Sequence, residues 1–74
     1  ETVRRLCAEA FTDPAIQRVE IHHDRANFAS GRVAAAAGFA FVGERRDDAA
    51  APAEEGVQWI WRLGRDRYER RQAN

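Results

Sequence analysis

The polar residues whose types could support chemistry lie mainly between positions 20 and 30. Glu20, His22 and Asp24 alternate along one face of a predicted strand, because successive strand residues point to opposite sides of a sheet. Imidazole can accept or release a proton, so His22 is a candidate proton relay on a substrate-facing surface, with an ordinary solvent-facing side chain as the alternative. His23 faces the other way from His22. The two rings therefore cannot share one ligand, and no metal site is predicted.

Asn27 and Ser30 stand three residues apart at the start of a predicted helix. Asn and Ser favour helix N-termini for local reasons, so capping alone can explain this pair. Cys7 lies on the apolar side of another helix and is interpreted as a small core residue, since no pattern places a base beside it. Trp59 and Trp61 alternate onto one strand face. They are interpreted as core, with a wall of a substrate site as the alternative.

Composition limits the classes of function. The chain has 74 residues, of which 45% are hydrophobic and 32% are charged, and its formal net charge is zero. A nucleic-acid-binding domain normally carries a basic excess, so none is predicted as a partner. The single cysteine cannot form an internal disulfide, and no apolar run is long enough for a membrane span, so a cytoplasmic location is expected. The absence of methionine leads us to expect a fragment of a longer chain.

The elements that would position these residues follow the order α-β-α-β-β. Apolar spacing predicts a helix ending at Phe11 and stopped by the segment Thr12-Asp13-Pro14. Strands are predicted over residues 16–24, 39–44 and 57–63, a helix over 28–37 with Gly38 as its C-terminal cap, a loop over 45–55 and a charged tail with one helical turn around Tyr68. The first two strands are joined through a helix and should run parallel, whereas the third should be antiparallel to the second.

Residues 19–39 resemble a pattern of the GNAT acetyltransferases, in the branch that includes the ribosomal-protein N-terminal alanine and serine acetyltransferases. That pattern has a Val-Glu-Ile type of strand, then Asn-x-x-Ser opening a helix, then Gly-Phe starting the next strand. Here the matching residues are Asn27, Ser30, Gly38 and Phe39. The aromatic last strand ending at Leu63 and the charged tail also fit, so the resemblance covers nearly the whole chain.

The resemblance implies an α+β (α/β) fold, with residues 1–74 forming the C-terminal half of one acetyltransferase domain and the sheet order first-third-second strand. It also implies acetyl-CoA as co-substrate and an amine acceptor, either a protein N-terminus or a small molecule. Asn27, Ser30 and Val33 would bind the pantetheine arm of acetyl-CoA, and Ser30 would be the general acid for the departing thiolate. Many family members instead use a Tyr seven residues after the Asn, and here that residue is Ala34.

Two further parts of the family pattern are not found in these 74 residues. The Gly-rich loop that holds the pyrophosphate at a helix N-terminus, and the strand that usually supplies the general base, would both precede Glu1. The chain is therefore expected to be inactive alone. The rival prediction is a non-catalytic association module, because apolar helix faces and strand edges recruit partners. Either way, a homodimer is expected, since a core of this size should not hide Val3, Leu6, Phe11, Trp59 and Trp61.

Overall fold

In a computed structural model that describes residues 2–46 and 52–73, the chain forms a small α+β domain. The elements in chain order are α1 Thr2–Ala10, β1 Arg18–Asp24, α2 Phe28–Ala36, β2 Ala40–Arg46, β3 Val57–Gly64 and α3 Arg65–Ala73. The predicted order α-β-α-β-β is confirmed, with a further C-terminal helix. Residues 47–51 of the predicted loop lie outside the described residues.

The sheet has the order β1-β3-β2, as predicted. Both outer strands pair antiparallel with β3, so β1 and β2 run in the same direction on either side of it. In this register Val19 lies opposite Leu63 and Ile21 opposite Trp61, which places these side chains on one face. The β1 register is unbroken, whereas β2 has an irregularity between Phe41 and Gly43. Among residues 2–46 and 52–73, β1 pairs with β3 alone, so within this part of the chain its other edge has no strand partner.

All three helices contribute to one core. Its buried members are Cys7, Phe11, Ala34, Ala37, Phe39 and Leu63, with half-buried side chains around them that include Val19, Ile21, Trp61 and Tyr68. The prediction that Phe11 could not be hidden is wrong. Its ring stacks on Tyr68 with centroids 4.6 Å apart, and the Arg65 guanidinium lies 5.0 Å from its centroid. Helix α3 therefore covers a residue that was predicted to stay exposed.

Three predicted boundaries need correction. The second strand ends at Arg46, two residues into the predicted loop. The first strand begins at Arg18 rather than at residue 16, because the Asp13 side chain accepts a hydrogen bond from the Ala15 amide at 2.9 Å and holds a turn there. The charged tail is a nine-residue helix rather than one turn. Arg65 is the first residue of this helix, and its guanidinium donates to the carbonyl oxygens of Asp13 at 2.7 Å and Ile16 at 2.9 Å. These bonds attach the start of the helix to the segment before β1.

Gly38 ends α2 in the predicted way. Its φ is +93°, a left-handed conformation that favours glycine, and the chain turns there from the helix into Phe39 and β2. A Cβ atom at this position would also lie 2.7 Å from the Arg71 side chain of α3. Across residues 2–46 and 52–73, no helix combines the length and apolarity needed to cross a membrane.

Candidate functional site

A cleft of about 440 Å³ lies at the C-terminal end of β1, where the strand turns into α2. Its lining includes His22 and His23 from β1 and Asn27 and Ser30 from the start of α2, together with Asp24, Ala26, Ala53, Glu54 and Gln58. Because β1 is an edge strand, residues from both of its faces reach the same cleft. The structure thus brings together two residues predicted from the helix motif and one predicted from the polar strand face.

Asn27 is the N-cap of α2, and its side-chain oxygen accepts a hydrogen bond from the Ser30 amide at 3.2 Å. The capping interpretation of Asn27 is therefore confirmed. A side-chain amide has two ends, however, and its nitrogen remains a donor that the cap does not use. Asn27 is exposed, and Ser30 is half-buried. The pair can both start the helix and offer a donor and a hydroxyl to a molecule in the cleft.

Asp24 stabilises the wall of this cleft rather than acting as a free acid. Its buried carboxylate accepts hydrogen bonds from the backbone amides of Ala26 at 2.8 Å, Glu55 at 3.0 Å and Gly56 at 3.0 Å. The amides of Glu55 and Ala26, above all, hold the pKa of Asp24 below its ordinary value. Arg25 adds a salt bridge to Glu55 at 3.1 Å. One carboxylate therefore joins the end of β1 to the segment that leads into β3.

The polar face of β1 carries an ordered ion-pair cluster centred on Glu20. One carboxylate oxygen lies 2.7 Å and 2.8 Å from two nitrogens of Arg62, and the other lies 3.0 Å from His22 Nε2. Hydrogen bonding to His22, followed by that to Arg62, lowers the pKa of Glu20 from its ordinary value. An ionised carboxylate only accepts hydrogen bonds, so in this contact His22 Nε2 is the donor.

His23 belongs to the opposite face, as the alternation predicts, and is buried. The Trp61 indole N–H donates to His23 Nε2 at 2.9 Å, and since indole nitrogen is only a donor, the other ring nitrogen carries the hydrogen. That nitrogen, Nδ1, donates to the Asp24 carbonyl at 2.8 Å. A Cβ atom added at Gly31 of α2 would lie 3.5 Å from this ring, an ordinary van der Waals contact. His23 therefore contacts residues of β1 and β3 and lies beside α2.

Val33 is separate from the cleft. It is 43% exposed and lines a groove of about 580 Å³ between α1 and α2. Asn27 and Ser30 instead line the cleft at the end of β1. The two tryptophans are half-buried. Trp61 packs on the core, and both tryptophans border an open groove of about 340 Å³ beside α2. The indole nitrogen of Trp59 is buried without an acceptor among the described residues.

The sequence did not identify two of these features. The pairing of His23 with Trp61 spans 38 positions and depends on strand register, which alternation alone does not give. The role of Asp24 depends on backbone amides of a distant segment. Among the residues that the structure describes, no group of three or more His, Cys, Asp or Glu side chains is arranged to hold a metal ion.

Comparison of the chain with protein-family models, with curated proteins and with solved structures found no match.

Proposed function

We propose that this chain is the pantetheine-binding part of an N-acetyltransferase of the GNAT type, which transfers an acetyl group from acetyl-CoA to an amine. The resemblance of residues 19–39 motivates the proposal. The observation that carries it is the cleft at the end of β1, where Asn27 and Ser30 lie beside a strand edge that has no partner among the described residues. The sheet order β1-β3-β2 is also the order that the resemblance implies.

The free edge of β1 supplies the binding mode. Pantetheine contains two amide groups in an extended chain, and an unpaired strand edge offers alternating backbone donors and acceptors to such a chain. The Asn27 side-chain nitrogen then donates to an amide carbonyl of the arm. Among the described residues that line this cleft, no Arg or Lys is present to pair with the phosphates of coenzyme A, so the proposal concerns the pantetheine arm.

In the proposed reaction, Ser30 is the general acid that donates a proton to the leaving thiolate. The acceptor nitrogen attacks the thioester carbonyl carbon, the carbon–sulfur bond breaks, and the electron pair leaves with sulfur. The Ser30 hydroxyl donates a proton to that thiolate and regains one from the nitrogen, which loses a proton as it becomes an amide. A thiolate is a moderate leaving group because a free thiol has a pKa of about 8.5, so a hydroxyl donor contributes modestly.

An acetyl-transfer assay on the natural full-length protein tests this function. The protein is mixed with acetyl-CoA and, in separate reactions, a peptide beginning with Ala or Ser and a small diamine. We expect release of free coenzyme A thiol that depends on one of the amines. Thiol release that is the same with and without amine, or no release with any amine, contradicts the proposal.

A second candidate, an association module, is favoured by the exposed apolar side chains. Leu6 is 58% exposed, Phe28 69%, and Phe41 and Val42 nearly half. Burying such side chains against a second copy would remove apolar surface from water. Sedimentation of the purified chain distinguishes a dimer from a monomer. A folded monomer at high concentration together with acetyl transfer by the full-length protein eliminates this candidate.

A further inference from the structure

We propose that His22, oriented by Glu20, is the general base that takes the proton from the acceptor amine. The inference rests on the proposed function, since it assigns a second role within the same cleft. His22 and Ser30 both line that cleft, one from the edge strand and the other from the first turn of α2. A candidate base and a candidate acid thereby line the same cleft from different elements.

The orientation of the imidazole supports this assignment. His22 Nε2 lies 3.0 Å from the Glu20 carboxylate, which only accepts, so in the neutral ring the hydrogen lies on Nε2 and the lone pair on Nδ1. Nδ1 has no hydrogen-bond partner among residues 2–46 and 52–73, and the side chain is 39% exposed. A base needs a free lone pair, access to substrate and a third group that orients it. His22 has all three.

Glu20 is a positioning residue whose own geometry is fixed. Arg62 occupies one carboxylate oxygen at 2.7 Å and 2.8 Å, and Arg18 lies 3.6 Å from the same oxygen, so the other oxygen is directed to His22. A carboxylate held in this way also stabilises the imidazolium that forms when the base accepts a proton. The Arg62–Glu20–His22 cluster bridges β3 and β1, so the register of the sheet sets the position of the base.

The proton steps balance. An acceptor amine is mainly an ammonium ion, which has no lone pair and cannot attack a carbonyl. His22 Nδ1 takes one proton from it, the neutral amine attacks the thioester, and carbon–sulfur bond breakage follows. The second proton passes from nitrogen to sulfur by way of Ser30. His22 then releases its proton to water, so the net products are the amide, the free thiol and one proton.

Kinetics of three variants of the full-length protein test the role. His22→Gln keeps a donor for Glu20 but lacks a basic nitrogen, and we expect turnover to fall about 100-fold or more, within the range of general-base effects. The Michaelis constant for acetyl-CoA should stay within about twofold, because the base does not bind the cofactor. His22→Ala should regain turnover when imidazole is added to the buffer, which a merely structural histidine would not do. Arg45→Gln, an exposed residue of the far strand β2, is the matched control and should behave as wild type.

The outcomes separate the two proposals. If the wild type transfers acetyl groups and His22→Gln does so at the same rate, the assignment of His22 is wrong while the proposed function stands. If His22→Ala is slow but imidazole restores nothing, His22 is not the base. If the wild type transfers no acetyl group to any amine, both proposals fail.

Discussion

Replacing Asn27 with Asp should separate helix capping from the proposed cofactor binding, because the cap uses the side-chain oxygen and the proposed contact uses the side-chain nitrogen. The side-chain oxygen accepts from the Ser30 amide at 3.2 Å and caps α2. Asp offers the same oxygen and caps helices about as well as Asn. It lacks the N–H donor that the proposed contact with pantetheine requires. The substitution therefore preserves the fold and removes one ligand contact.

The expected magnitudes differ between two substitutions. Asn27→Asp should change the free energy of unfolding by no more than about 0.5 kcal/mol, whereas Asn27→Ala loses the cap and should cost about 0.5–2 kcal/mol. Both would remove the proposed neutral hydrogen bond to the cofactor, worth about 0.5–1.5 kcal/mol, which corresponds to about a 2- to 13-fold weaker affinity. Only the Ala variant should lose stability and affinity together.

Two measurements give the answer. Urea unfolding of the chain reports the free energy of unfolding, and calorimetric titration of the full-length protein with acetyl-CoA reports affinity. An Asp variant with wild-type stability and reduced affinity supports the ligand contact. If the Asp variant binds acetyl-CoA as tightly as wild type and the Ala variant loses only stability, Asn27 is a cap and the contact does not exist.

Three further predictions concern Ser30 as the proton donor to the leaving group, Gly38 at the end of α2 and the buried Asp24 carboxylate. Ser30→Ala in the full-length protein should lower turnover about 10- to 100-fold, at the low end of general-acid effects, with little change in acetyl-CoA affinity; unchanged turnover would refute its role. Gly38→Ala should destabilise the chain by about 1–2 kcal/mol in urea unfolding, because φ is +93°, whereas Gly64→Ala, with nothing within 4 Å of the added Cβ, should cost less. The pKa of Asp24 is depressed in the folded state from an ordinary 3.8, so its stabilising contribution is present above pH 3.8 and lost as pH falls through the folded pKa. In Asp24→Asn the free energy of unfolding should therefore fall less steeply as the pH is lowered through the acidic range. If the fall is as steep as in the wild type, other groups cause it.

Local signals were sufficient for much of the fold. Asn27 as N-cap and Gly38 as the left-handed end of α2 follow from residue type and position, and both are confirmed. The alternation of Val19, Ile21 and His23 correctly predicted the inward face of β1. The sheet order came from the family resemblance, since no local pattern states which strand lies in the middle.

Long-range contacts explain what the sequence did not predict. Helix α3 is highly charged and has little apolar periodicity, so its nine-residue length depends on Tyr68 stacking against Phe11 and on Arg65 binding the segment before β1. Asp24 was assigned to a polar surface by strand alternation. It is buried because amides more than 30 positions away surround its carboxylate. Such partners become adjacent only after the sheet has formed.

The central claim is that the cleft at the end of β1 holds the pantetheine arm, and amide NMR with S-acetylpantetheine tests it most directly. This ligand carries the arm and the thioester without the phosphates, so it does not need a phosphate loop. Titration into the isotope-labelled chain should shift the backbone amides of His22 and Asp24, the side-chain amide of Asn27 and the Ser30 amide. Signals of Val42 and Glu44 on the far strand β2 should stay in place, as should all signals when the adenosine bisphosphate portion of coenzyme A is added instead. A titration that leaves the Asn27 side-chain amide unmoved, or shifts only residues remote from β1, contradicts the account.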